Sequence, residues 1–185
     1  MAMIGEVAMT AKPKHHAWVA LATLGLSSPQ VAVAAPTISE GHEARLAACI
    51  REAASGRGWL EKTLWGLRDK EAGWIGAEIL NTNGTHDLGP LQINSSWVPK
   101  LAKLVGRPPE QIRFWLIHDP CFNVQAARWI FLAGLNATGN YWKAVGVYHS
   151  PTEWRQRRYI QRVTWHLEKR FGQNVFAVPG AGKSR

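Results

Sequence analysis

The residues best suited to chemistry in this chain are two carboxylates, Glu71 and Asp87. Glu71 ends the stripe Leu60, Leu64, Leu67, Glu71, whose spacings of four, three and four residues put all of them on one helical face. A glutamate facing an apolar wall at a helix C-terminus is disfavoured in its charged form twice, by desolvation and by the negative end of the helix dipole. Its pKa is expected to rise, which makes it a proton donor near neutral pH. Asp87 lies in the polar stretch Asn81-Thr82-Asn83-Gly84-Thr85-His86-Asp87-Leu88-Gly89 and is expected to stay ionised. Two carboxyls whose surroundings push their proton affinities apart are the arrangement that cleaves glycosidic bonds. Each also has a plain structural reading: a solvated or salt-bridged Glu at a helix end, and an Asp that caps a turn through nearby backbone N–H groups.

The elements that must hold these groups are mostly helical. Leu46, Ala47, Ile50 and Ala53 recur at helical spacing and predict a helix over Glu40–Ala54, with Thr37 and Ser39 ahead of it as capping residues. A second helix is predicted from Trp59 to about Ala72, ended by Gly73. From Ile75 to Leu88 the helical rhythm breaks around the turn signal Asn81-Thr82-Asn83-Gly84, which predicts a short β-hairpin and the only β structure of the chain. Helical patterns return over Ser95–Leu104, Glu110–His118, Phe122–Leu135, Tyr141–Tyr148 and Glu153–Phe171. The expected class is α+β, mostly helical, with a small β-hairpin lobe beside the candidate site. Near the C-terminus, Gly180-Ala181-Gly182-Lys183-Ser184 fails as a phosphate-binding loop, because the motif's first glycine would fall at Ala177.

Over 185 residues, 46% hydrophobic and 19% charged side chains fit one globular domain and exclude collagen-like and coiled-coil chains. The formal net charge of +9 suits an anionic partner such as nucleic acid, a membrane surface or the bacterial cell wall. A basic patch at Lys12, Lys14, His15 and His16, an apolar run from Ala17 to Leu26 and the small residues Ala32-Val33-Ala34 follow the order of a cleavable secretory leader. The run is too short for the ~20 residues of a stable membrane anchor. The expected organisation is therefore a leader over residues 1–34, a folded domain over 35–171 and a loose tail over 172–185, the product being soluble and exported to the periplasm. In an oxidising compartment the two cysteines, Cys49 and Cys121, read as one disulfide, worth roughly 4 kcal/mol for so long a loop. No His pair has metal-ligand spacing with a third ligand nearby, so no metal site is expected.

Three ordered segments carry a family resemblance: Glu71-Ala72-Gly73, Asn83 through Ser95, and Ala144-Val145-Gly146-Val147-Tyr148-His149-Ser150. Together they resemble the lysozyme-like lytic transglycosylases, most closely the small exported enzymes that accompany type IV secretion, conjugation, type III secretion and pilus systems. The resemblance spans about Ala47 to Val163 and extends to the cysteines, the second lying in Pro120-Cys121-Phe122-Asn123. The Asp87–Ser95 stretch is also similar to animal-type lysozymes, which use an Asp at the matching place as second carboxylate.

The resemblance implies a lysozyme-like fold, Glu71 as catalytic acid and base, and Gln92, Asn94 and Tyr148 lining the cleft, Tyr148 positioning Glu71 or the sugar. It implies peptidoglycan glycan strands as substrate, secretion, conjugation or pilus components as partners, a monomer, and no cofactor or metal. Three departures stand out: Ala72 replaces a Ser, Pro90 an aliphatic residue, and His149 an Asn that many relatives carry. Asp87 is expected either to turn the reaction toward lysozyme-type hydrolysis or only to cap its turn. Trp74, Trp97 and Trp154 either stack on sugars or pack in the core. The basic helix Glu153–Phe171 reads as a solvated face or as an attraction for anionic wall polymer, while nucleic acid lacks a recognisable binding motif. A glycan-binding scaffold without turnover is the alternative from a different class.

Overall fold

A computed structural model describes residues Ile38–Phe176. The expected leader over 1–34 and the tail beyond Phe176 lie outside the described residues. Among these described residues, seven α-helices and three short strands follow in the order α1 (Ile38–Ala54), α2 (Gly58–Glu71), β1 (Glu78–Leu80), β2 (His86–Leu88), β3 (Ile93–Asn94), a 3-10 helix (Ser95–Trp97), α3 (Val98–Val105), α4 (Pro109–His118), α5 (Pro120–Thr138), α6 (Tyr141–His149) and α7 (Glu153–Phe171). This is the mostly helical, lysozyme-like α+β fold, with its β structure gathered in one lobe.

The differences from the expected boundaries have local causes. Helix α1 begins at Ile38, so Ser39 falls inside it and not ahead of it. The stretch read as one helix from Ser95 opens instead as a 3-10 turn, where the Asn94 side chain accepts from the Ser96 N–H, and continues as α3 from Val98. The expected hairpin is the first half of a three-stranded antiparallel sheet of order β1-β2-β3. Two residues of strand are too few to show alternation, which hid β3. Five residues, Asn81 to Thr85, connect β1 to β2, and Asn83 Oδ1 accepts from both the N–H and the hydroxyl of Thr85.

Apolar faces of the helices meet in one core. Ile50, Leu60, Leu64, Leu67, Ile112, Leu116, Phe131 and Val163 are among its fully buried members. Cys49 and Cys121 are joined in a disulfide with 4.8 Å between their Cα atoms, tying α1 to the first turn of α5. Asp119 caps that turn, its carboxylate accepting from the N–H groups of Cys121 and Phe122.

The contact between α2 and α7 positions the candidate site. A Cβ at Gly66 would come within 2.8 Å of the Leu167 side chain and 3.2 Å of Val163, so α7 lies as close to α2 as a bare backbone permits. Further along this face Trp65 is covered by the Arg170 guanidinium, 4.0 Å above its ring. Residues just past α7 dock as well, whereas the sequence reads as loose from Gly172 onward. Val175 is buried with its carbonyl accepting from Lys62 Nζ at 2.5 Å, and Phe176 packs on Tyr141 and Trp142. Among the described residues, no helix is long and apolar enough to cross a membrane, and no group of side chains has the composition of a metal site.

Candidate active site

Helix α2 ends at Glu71 because Ala72 turns into the left-handed region at φ 51°, its N–H donating to the Arg68 carbonyl. Gly73 then passes so close to the β lobe that a side chain there would collide with the Gly89 carbonyl, the Gln92 amide and the Pro90 carbonyl. The end of α2 is thereby pressed against the turn Gly89-Pro90-Leu91-Gln92, closed by the Gln92 N–H on the Gly89 carbonyl at 3.1 Å. Pro90 takes the second place of this turn, where its ring torsion fits and no N–H is needed.

Asn123 of α5 anchors the turn from beneath. It is fully buried, donates to the carbonyls of Leu88 and Leu116 at 2.8 Å each, and accepts from the Leu91 N–H at 2.9 Å. One amide therefore satisfies three backbone groups that water cannot reach.

Glu71, Asp87, Gln92, Asn94, Trp97, Tyr148 and His149 all line one cleft of about 640 Å³ between the β lobe and the helices. Glu71 forms part of its wall, with 13% of its side chain exposed. Its Oε1 accepts a 2.5 Å hydrogen bond from the Tyr159 hydroxyl, and Lys70 Nζ lies 3.8 Å from Oε2. Burial raises the Glu71 pKa above its ordinary value, against the pull of Lys70 and the Tyr159 hydrogen bond, and Asp87 adds a smaller push in the same direction. The carboxyl is thus biased toward keeping its proton while two donors stand ready to receive the charge once the proton leaves.

Asp87 sits on β2, paired across the sheet with Ile79 on one side and Asn94 on the other. Its Oδ1 accepts from Asn94 Nδ2 at 2.9 Å, and the same amide donates to the Thr85 hydroxyl. Asn94 therefore braces the carboxylate side of the cleft as well as lining it. Gln92, at φ 48°, donates from Nε2 to the Gly89 carbonyl at 2.8 Å. Trp97 lines the cleft and makes a T-shaped contact with Trp129, while Lys100 lies 4.4 Å over its ring. Trp74 is 59% exposed and does not line the cleft, and Trp154 lines a neighbouring depression.

Tyr148 does not bond Glu71. Its hydroxyl donates to the Leu91 carbonyl at 3.1 Å, and its ring stacks at 27° on that of Tyr159. Both tyrosine hydroxyls are pushed well above the ordinary range, by burial first and then by the carboxylates facing them, and remain hydrogen-bond donors. His149 stacks flat on Tyr159, centroids 4.5 Å apart, and is lowered by burial and by Lys70. Tyr159 is a residue of this site that the sequence did not mark. In the sequence it recurs with Val163 and Leu167 at helical spacing, which marks a core position, and it is one, its hydroxyl alone reaching the acid. Arg155, on the same helix, also reaches the cleft wall.

Fold and site together define a lysozyme-like domain with a protonatable glutamate set in an open polar groove. No protein-family model matches the chain. Two curated relatives, the invasion protein IagB of Salmonella typhimurium strain SL1344 and that of strain LT2, are each 31% identical to it over 99 residues, which is 51% of this chain. The chain spans 59% of the length of each.

Proposed function

We propose that this protein is a peptidoglycan lytic transglycosylase acting in the periplasm, with Glu71 as the group that both gives and takes the proton. The observation that carries this reading is a buried carboxyl with a raised pKa, held by Tyr159 in the wall of a cleft open enough for a polysaccharide. Protonated Glu71 delivers its proton to the oxygen joining N-acetylmuramic acid to N-acetylglucosamine, and the C1–O bond breaks. The carboxylate left behind is stabilised by the Tyr159 hydroxyl and Lys70. It removes the proton of the muramic 6-hydroxyl as that oxygen bonds to C1, closing a 1,6-anhydro ring and restoring the acid.

Hydrolysis is the second reading, and Asp87 favours it by lining the same cleft with its carboxylate held by Asn94. There water replaces the 6-hydroxyl, and Asp87 acts as nucleophile or charge stabiliser. Mass spectrometry of digested sacculi separates the outcomes: anhydro-muramic ends from the wild type and none from Glu71→Gln support the lyase, and reducing ends that vanish in Asp87→Asn support the hydrolase. A wild type that binds sacculi yet releases nothing overturns both and leaves a glycan-binding scaffold. The basic leader-like segment supports export, and the relatives' designation as invasion proteins supports a role in opening the wall for a secretion, conjugation or pilus apparatus.

A further inference from the structure

One face of α7 turns Gln156, Tyr159, Val163 and Leu167 into the core. The stripe at Arg155, Arg158, Arg162, Trp165 and Lys169 recurs every three or four residues and faces away from it. Like charges at such spacing repel and weaken a helix, so the stripe is not explained by the stability of α7. It borders two depressions that share Lys70 and Arg162, one holding Trp154 and the other Trp165, and neither has a carboxylate among the residues that line it. Trp154 and Trp165 are each about half exposed, at 51% and 53%. Cations accompany both rings, Arg155 at 5.3 Å and Lys169 at 5.1 Å. Among the described residues, Arg158 and Arg162 have no acidic partner, whereas Asp69 is occupied by Arg170 and Glu153 by Lys143 and Arg157.

This basic surface continues the cleft. Arg155 and His149 line both the cleft and the first depression. We propose that it binds the acidic peptide borne by the muramic residues of a strand lying in the cleft, its carboxylates paired with Arg158 and Arg162. The proposal rests on the glycan-cleaving reading above and adds a determinant of substrate choice to it. The scale fits: the seven helical steps from Arg155 to Arg162 rise about 10 Å, and a peptide of three or four residues extends about 10–14 Å. Charge complementarity also fits, because such peptides carry several carboxylates and the two depressions are lined by cations, aromatic rings and the Gln161 amide, with no carboxylate.

The test compares peptide-bearing glycan strands with the same strands freed of peptide by an amidase. Binding is followed by tryptophan fluorescence, and cleavage by product release, in the full chain and in an Arg158→Ala/Arg162→Ala variant whose fold is checked by circular dichroism. The wild type should bind peptide-bearing strands more tightly than bare ones, and the variant should lose roughly three- to tenfold of that preference, with the residual preference fading as salt rises. Arg158→Lys/Arg162→Lys should retain most of it. Equal binding of both strands by the wild type, or an unchanged preference in the alanine variant, overturns the proposal. So does competition by anionic lipid vesicles that the variant escapes while its strand preference persists. If the wild type cleaves neither strand, the catalytic reading fails, and the binding ratio still decides this one.

Discussion

The hydroxyl of Tyr159 on α7 donates a 2.5 Å hydrogen bond to Oε1 of Glu71 at the end of α2, joining residues 88 positions apart in the chain. The bond leaves the carboxyl proton to Oε2 and fixes the plane of the acid. It is available because Gly66 lets α7 approach α2 closely enough to bring the two side chains together.

Replacing Tyr159 by Phe keeps the buried ring and removes only that donor. The hydrogen bond favours the carboxylate, so its loss raises the Glu71 pKa further and moves the basic limb of the pH–rate profile upward. With the acid free to rotate, kcat should fall by roughly one to two orders of magnitude. Stability should fall by about 1–3 kcal/mol, as for hydrogen bonds to ionisable groups. A profile that keeps its shape would remove Tyr159 from the mechanism.

Glu71→Gln should abolish turnover and stabilise the fold near neutral pH. The folded protein holds the Glu71 pKa above its usual value of 4.5, so the unfolded chain ionises first as pH rises. Stability is lost progressively from that range up through the folded pKa and stays lost above it. Thermal melts should show the variant above the wild type at about pH 7, with the gap closing toward about pH 3.5. A gap that widens in acid would contradict the direction assigned to the shift.

Gly73→Ala places a methyl group against the Gly89 and Pro90 carbonyls and the Gln92 amide. Backbone carbonyls cannot swing aside as a flexible side chain can. Overpacking of this kind costs about 1–3 kcal/mol, and here the strain falls between the acid and the lobe carrying Asp87. Urea denaturation should register the loss, and kcat should fall with it; an unchanged midpoint would show that the turn yields.

Asn123→Ala strips the partners from the Leu91 N–H and the Leu88 and Leu116 carbonyls at once. Buried groups left unpaired cost about 1–3 kcal/mol each, though the sum is not additive. Destabilisation of about 3 kcal/mol or more is expected, with faster amide exchange at Leu91 than elsewhere in the core. Uniform exchange would mean that the turn is held by packing alone.

Removing the disulfide by Cys49→Ala with Cys121→Ala opens a closed loop with a sequence separation of 72. The chain-entropy model sets the loss at roughly 4 kcal/mol. Chemical denaturation of the double variant against the oxidised wild type measures it, and a loss well under 1 kcal/mol would mean that the unfolded chain is already constrained.

Much of this architecture is written locally. The stripe Leu60, Leu64, Leu67, Glu71 fixes which face of α2 is buried, and α7 runs over the residues that its periodicity marks, Glu153 to Phe171. The turn at Asn81–Gly84 and the placing of a carboxylate at the end of an apolar stripe are equally legible, because side-chain spacing and turn chemistry act over a few residues. What periodicity cannot state is which face meets which. Tyr159 carries the same local signature as Val163 and Leu167, and only the α2–α7 contact separates a core ring from a partner of the acid. The Tyr148 hydroxyl, expected to position Glu71 or the sugar, donates to the Leu91 carbonyl, and Asn94 turns toward Asp87 because the β2–β3 register sets them opposite each other. Hydrogen bonds across tens of residues depend on how helices and strands pack to exclude water from the core, and that outcome is a property of the assembled chain.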